Sequence, residues 1–254
     1  MQVRILGCSG GIGGDFRTTA MLADDDILID GGTGVGDLSL EALARIDHIF
    51  VTHSHLDHIA CIPLMIDSVA RYRTKPITLY ATAAVLRILQ EHVFNWLVWP
   101  DFSRIPKEQT PFMRYQTVSV GQRVVLGERS ITPIPAQHTV PAVGYHIDSG
   151  TASLVFTGDT TSQDALWEYI NRIDNLRYLI IETAFSEQQQ DIAVASKHLH
   201  PGLLAKELGK LKRPAEIYVT HLKPGDDDVI MSQVNQLAGQ FVPRFLYNQQ
   251  VFDF

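Results

Sequence analysis

Residues 53–58 read His53-Ser54-His55-Leu56-Asp57-His58, so four groups able to bind a metal ion fall within six positions. They directly follow the apolar run His48-Ile49-Phe50-Val51-Thr52. Alternate residues of an extended chain point the same way, so His53 and His55 can reach one ion. A turn then presents Asp57 and His58 to a neighbouring position as a helix opens at Ile59. Imidazole and carboxylate donors suit Zn²⁺, and Mn²⁺ or Fe is also compatible with these donor types.

Donors of this kind need rigid elements to hold them, and the chain supplies a repeated pattern of short apolar runs that stop at polar residues. Ile27-Leu28-Ile29 ends at Asp30, Ile131 to Ala136 at His138, and Leu154-Val155-Phe156-Thr157 at Gly158-Asp159. Leu179-Ile180-Ile181 ends at Glu182, and Ile217-Tyr218-Val219-Thr220 at His221. Continuous β-branched and apolar runs suit strands covered on both faces. Helical spacing predicts helices over residues 38–46, 59–70, 83–93, 163–170 and 203–211. Sheets wrapped by helices, with polar groups gathered at strand ends, define a layered α/β protein with a site along one edge. Val51-Thr52-His53 recurs as Val219-Thr220-His221, which either marks two related halves or is coincidence.

The 254 residues are 45% hydrophobic and 19% charged, which suits one compact domain over residues 1–254 with no linker dividing it. The formal net charge of -7 argues against a polynucleotide partner gripped through its phosphates. Two cysteines, Cys8 and Cys61, build no disulfide framework and fit a reducing compartment. The start of the chain reads as a short strand rather than a cleavable leader. No apolar run approaches the roughly 18 residues that span a bilayer. These features predict a cytoplasmic protein without a membrane partner.

The string His-x-His-x-Asp-His resembles the signature of the metallo-β-lactamase superfamily, and the rest of the chain is similar to it in order. That resemblance implies a four-layer αββα sandwich. It implies a third histidine for the first ion, matched by His138, a shared aspartate in a Thr-Gly-Asp turn, matched by Asp159, and a late histidine, matched by His221. By the same resemblance one ion falls to His53, His55 and His138, the other to Asp57, His58 and His221, with Asp159 between them. Asp30 is either a turn former before Gly31-Gly32 or the acceptor for a ligand histidine's free N–H, and Glu182 is read in the same way.

Within that superfamily, three stretches resemble the class II 3′,5′-cyclic-nucleotide phosphodiesterases. The run from His53 to Ser68 carries Leu56, although it has Cys61 where a Gly or Ser is usual. His92 to Phe102, with Asn95, Trp96, Trp99 and Pro100, is the most specific piece. Lys197-His198-Leu199-His200-Pro201, followed by Thr220-His221-Leu222-Lys223-Pro224, resembles the C-terminal part. The resemblance implies hydrolysis of cyclic AMP or cyclic GMP to the 5′-monophosphate by a hydroxide held between two metal ions. Asp57 would orient that hydroxide or accept its proton, and His198, with His200 as the alternative, would protonate the leaving oxygen or hold the phosphate, unless these histidines only cap a helix or lie on the surface. Lys223 either meets a phosphate oxygen or is a solvated surface lysine. Phe94, Trp96, Trp99 and Phe102 either stack on a purine or fill a core or subunit contact. Relatives of this fold are often dimers, which implies a homodimer. The opening Leu6 to Gly14 also resembles the transfer-RNA 3′-processing nucleases, tRNase Z, which leaves RNA processing as a rival. Thioester or lactone hydrolysis is a second rival, and a metal-holding sensor without turnover a third.

Overall fold

Strands that are apolar at every position need cover on both faces, and the arrangement of the chain supplies it. The computed structural model describes residues 1–254. The chain begins with β1 (Gln2–Gly7), β2 (Ala20–Ala23), β3 (Ile27–Ile29), α1 (Leu40–Arg45), β4 (His48–Phe50), α2 (Leu56–Ile59) and α3 (Cys61–Val69). Next come β5 (Ile77–Ala81), α4 (Ala83–His92), β6 (Pro106–Lys107), β7 (Thr110–Pro111), β8 (Met113–Thr117) and β9 (Val124–Leu126). These are followed by β10 (Arg129–Pro135), β11 (Val143–Asp148), β12 (Ser153–Phe156), α5 (Asp164–Ile170) and β13 (Leu176–Glu182). The rest is α6 (Gln190–Ala195), α7 (Pro201–Leu208), β14 (Glu216–Thr220), α8 (Asp227–Ala238), β15 (Arg244–Phe245) and β16 (Val251–Asp253).

Two seven-stranded sheets result, ordered β16-β1-β2-β3-β4-β5-β8 and β15-β14-β13-β12-β11-β10-β9, and β6 pairs with β7 apart from both. The central strands split their side chains between two cores. Ile27, Ile29, Phe50 and Tyr80 of the first sheet meet Tyr145, Leu154, Phe156 and Ile180 of the second, which fills the space between the sheets. Leu28, Ile49 and Leu79 turn outward onto Ile62, Met65 and Ile66 of α3 and Val85 and Leu89 of α4. Val155, Leu179, Ile181 and Val219 turn outward onto Leu166 and Ile170 of α5, Leu204 and Leu208 of α7 and Ile230 and Val234 of α8. The layers run helix, sheet, sheet, helix.

Strand direction gathers the polar strand ends. β3, β4, β5 and β8 are mutually parallel, as are β12, β13, β14 and β15. β10 is antiparallel to β11 and β11 to β12, so β10 and β12 also run the same way. Parallel strands deliver their C-terminal ends to one edge. Asp30, Thr52 and His53 leave the first sheet there, and Asp159, Glu182 and His221 leave the second.

Local chemistry sets the helix starts. Ser39 accepts the N–H of Ala42 ahead of α1, Thr82 accepts that of Val85 ahead of α4, and Pro201 opens α7. The helix expected from Ile59 differs in detail. Its first turn, α2, starts at Leu56 and already contains Asp57 and His58, and α3 follows after Ala60. No helix is long and apolar enough to cross a membrane.

Candidate metal centre

The alternation of a strand end followed by one helical turn brings His53, His55, Asp57 and His58 to a common point. Three residues from the second sheet's strand ends meet them there. His53, His55, His138 and Asp159 form one group, and Asp57, His58, Asp159 and His221 a second, with one donor atom per residue lying within 4.8 Å of the others in its group. Asp159 belongs to both. In the first group Nδ1 of His55 lies 3.2 Å from Nε2 of His53 and 3.1 Å from Nε2 of His138. Two nitrogens bound at 2.0–2.1 Å to one tetrahedral ion lie about 3.4 Å apart, so this spacing suits a shared cation. In the second group Nε2 of both His58 and His221 stands 3.3 Å from an Asp159 oxygen, and 3.9 and 3.7 Å respectively from Asp57 Oδ2.

Acceptors behind the rings decide which nitrogen faces inward. Asp30 Oδ2 accepts from His58 Nδ1 at 2.7 Å, and the Lys197 carbonyl accepts from His138 Nδ1 at 3.2 Å. With Nδ1 carrying the proton, Nε2 keeps its lone pair for the cluster. His58 Nε2 is buried without any hydrogen-bond partner. A buried ring nitrogen that faces two carboxylates must carry a proton in a bare protein and is free to bind a cation in one that holds an ion. The donor set and this orphan fit a pair of divalent ions.

The electrostatics agree. Burial pushes His221 down to about 3 and His138 down to about 4, and it drives His53 well below the usual imidazole range, so these rings are neutral at neutral pH. Asp159 is held well below the usual carboxylate range despite its burial, because His221, His58 and His53 surround it and His58 keeps its proton. For His58, burial is outweighed by Asp159 and Asp30, which lift it well above its ordinary value.

Beside the cluster, Glu182 at the end of β13 is fully buried. Its Oε1 accepts from His198 Nδ1 at 2.8 Å and from the Thr160 N–H at 2.9 Å, and its Oε2 accepts from the Leu199 N–H at 3.1 Å. The His198 ring lies 5.2 Å from that of His221 and 4.8 Å from that of His138. Burial disfavours a proton on His198, yet Glu182 prevails and raises it above the usual range. His200 stands apart, at the start of α7, where it pairs with Glu187 at 2.6 Å. Lys223 Nζ donates to the Gly10 carbonyl at 2.7 Å and sits 5.5 Å from the Phe185 ring, which in turn neighbours His198.

Close approach explains the glycine-rich loop at this edge. A β-carbon on Gly10 would lie 2.5 Å from the His221 carbonyl oxygen and 3.1 Å from its ring, so only glycine lets the loop pass. Gly158, at φ +60°, makes the turn that delivers Asp159. Among the aromatics, Phe94 and Phe102 are core residues, Trp99 packs against that core, and Trp96 is exposed. Sequence reasoning missed Thr52, Thr19 and Lys197, which hold or approach the back of His53, His221 and His138 respectively. No residue pattern marks the first two. A lysine at φ +55° directly before His198 is visible only in the backbone.

A profile of the beta-lactamase superfamily domain matches residues 26–222, a span that includes all seven donors. The chain belongs to the metallo-β-lactamase superfamily. A probable 3′,5′-cyclic-nucleotide phosphodiesterase of Yersinia pestis is 27% identical over 221 residues, covering 75% of this chain and 63% of that protein's length. Unliganded yeast PDE1 matches with a TM-score of 0.81 at 19% identity over 98% of both chains. The short form of human tRNase Z matches at 0.68 and 18% identity, over 100% of this chain and 99% of its own. Both structures share the metallo-β-lactamase sandwich with this chain.

Proposed function

We propose that this protein is a metal-dependent phosphodiesterase that opens the 3′,5′-cyclic phosphate of a nucleotide, cyclic AMP or cyclic GMP, to give the 5′-monophosphate. The observation that carries the reading is the placement of the buried Glu182–His198 pair against two donor groups that share Asp159. The name of the Yersinia pestis relative supports the choice of a cyclic nucleotide.

In this reading His53, His55 and His138 hold one ion, Asp57, His58 and His221 hold the other, and Asp159 serves both. Two divalent ions there, zinc by donor type, would lower the pKa of water towards neutrality and offset charge growing on the phosphate. The chain does the rest. Asp57, the most accessible carboxylate of the set, orients the attacking water or takes its proton. His198 commits Nδ1 to Glu182, so its Nε2 is left to hold a proton for the departing 3′ oxygen. Lys223 keeps two N–H groups beyond its bond to Gly10, enough to meet a phosphate oxygen. The net charge of -7 disfavours a polynucleotide on the same surface.

The test is one panel. Zinc-loaded protein is offered cyclic AMP, cyclic GMP, a precursor transfer RNA and a generic thioester. Release of 5′-monophosphate from either cyclic nucleotide, abolished by a chelator, is the expected result. Cleavage of the RNA or the thioester with both cyclic nucleotides untouched would overturn the proposal.

A further inference from the structure

We propose that Thr52 is a positioning residue that sets the tautomer of His53 and, through Asp30, couples the two donor groups. This inference rests on the reading of the cluster as a two-ion site. Thr52 is fully buried and immediately precedes His53. Its backbone N–H donates to Asp30 Oδ1 at 2.8 Å, and its hydroxyl donates to Asp30 Oδ2 at 2.8 Å. A threonine hydroxyl has one hydrogen to give. With that hydrogen on Asp30, the 3.0 Å contact between Thr52 Oγ1 and His53 Nδ1 requires the ring to be the donor. His53 therefore carries its proton on Nδ1 and turns the Nε2 lone pair towards His55, His138 and Asp159.

The remaining neighbour of the hydroxyl is His58 Nδ1 at 3.4 Å, and that N–H is already engaged with Asp30 Oδ2 at 2.7 Å. One carboxylate oxygen thus holds a ring N–H of the second group directly and one of the first group through Thr52. The threonine methyl adds a third link. A β-carbon on Gly158 would lie 3.3 Å from Thr52 Cγ2, so the methyl abuts the turn that delivers Asp159. The hydroxyl and the methyl have separable duties, and valine and serine each remove one of them.

The experiment titrates zinc into chelator-stripped protein by calorimetry and observes ¹⁵N-histidine-labelled protein by NMR. Wild-type protein is expected to bind two ions and to show His53 protonated at Nδ1. Thr52→Val, which keeps the shape but leaves that N–H without an acceptor, is expected to weaken zinc binding about tenfold to hundredfold. Thr52→Ser is expected to restore most of the affinity. Equal zinc affinity in wild type and Thr52→Val, or a serine variant as weak as the valine one, would sink the role of Thr52 while leaving the two-ion reading standing. Should the valine variant fail to fold, the wild-type spectrum decides alone, because a His53 proton on Nε2 contradicts the proposal. Wild-type protein that takes up no zinc overturns the two-ion reading and this inference with it.

Discussion

Glu182 Oε1 and His198 Nδ1 lie 2.8 Å apart at the end of β13, in a pair whose carboxylate is wholly buried and whose ring stacks on His221. Burial alone would strip the imidazole of its proton, and the carboxylate reverses that balance. A ring held in this way is suited to proton donation near neutral pH. His198→Ala is expected to lower turnover of the proposed cyclic-nucleotide substrate by about 10²–10⁴-fold. Zinc content measured on the same sample should be unchanged, because His198 is outside both donor groups. Normal turnover in that variant would remove the assigned role.

Asp159 is the one side chain common to both groups. Its replacement by Asn removes a negative charge that four neighbouring histidines share. Elemental analysis of Asp159→Asn is expected to find at least one of the two ions lost, with activity falling alongside. Full occupancy of both positions in the variant would show that the aspartate does not join them.

His58 binds its proton more tightly than an ordinary histidine, because Asp159 and Asp30 outweigh the effect of burial. A cation on Nε2 must displace a proton there. Binding therefore strengthens as pH rises and weakens as pH falls through the raised value. Calorimetric titrations in buffers of different ionisation enthalpy, run from about pH 6 to about pH 8, should report net proton release on metal uptake. Proton-neutral binding across that range would contradict the expectation.

Gly10 passes too close to His221 to tolerate a side chain. Gly10→Ala forces the loop or the strand end to shift, which costs about 1–3 kcal/mol. A urea melt of the metal-free variant should show that loss, and zinc binding should weaken because His221 is displaced. A melt superimposable on wild type would mean that the loop yields freely.

Much of this arrangement is legible in the order of the residues. Ile49-Phe50 and Leu179-Ile180-Ile181 are apolar without alternation, and strands of that kind are covered on both faces, which leads to stacked layers. His53 to His58 are dense enough to mark the edge that matters, and resemblance supplied His138, Asp159 and His221 as their companions. Other parts are silent. β15 has only two residues, too few for a pattern to register. α8 begins Asp227-Asp228 and carries polar residues through its length, so its buried stripe of Ile230, Val234 and Ala238 is thin. Thr52 acts through one hydroxyl whose partner, Asp30, is 22 positions away, and a linear reading has no pattern that pairs them.

His53, His55, Asp57 and His58 issue from one sheet and His138, Asp159 and His221 from the other. The pocket is thus divided along the seam where the two slabs of the protein meet. A slip of one slab across the other by a fraction of a side chain would part the two contingents and strain the few backbone bonds that cross the seam, such as the His221 N–H to the Cys8 carbonyl, while leaving the ladder within each sheet intact. Retention of the proposed cations would accordingly gauge how faithfully the slabs are docked, and it should fail before circular dichroism registers any loss of structure.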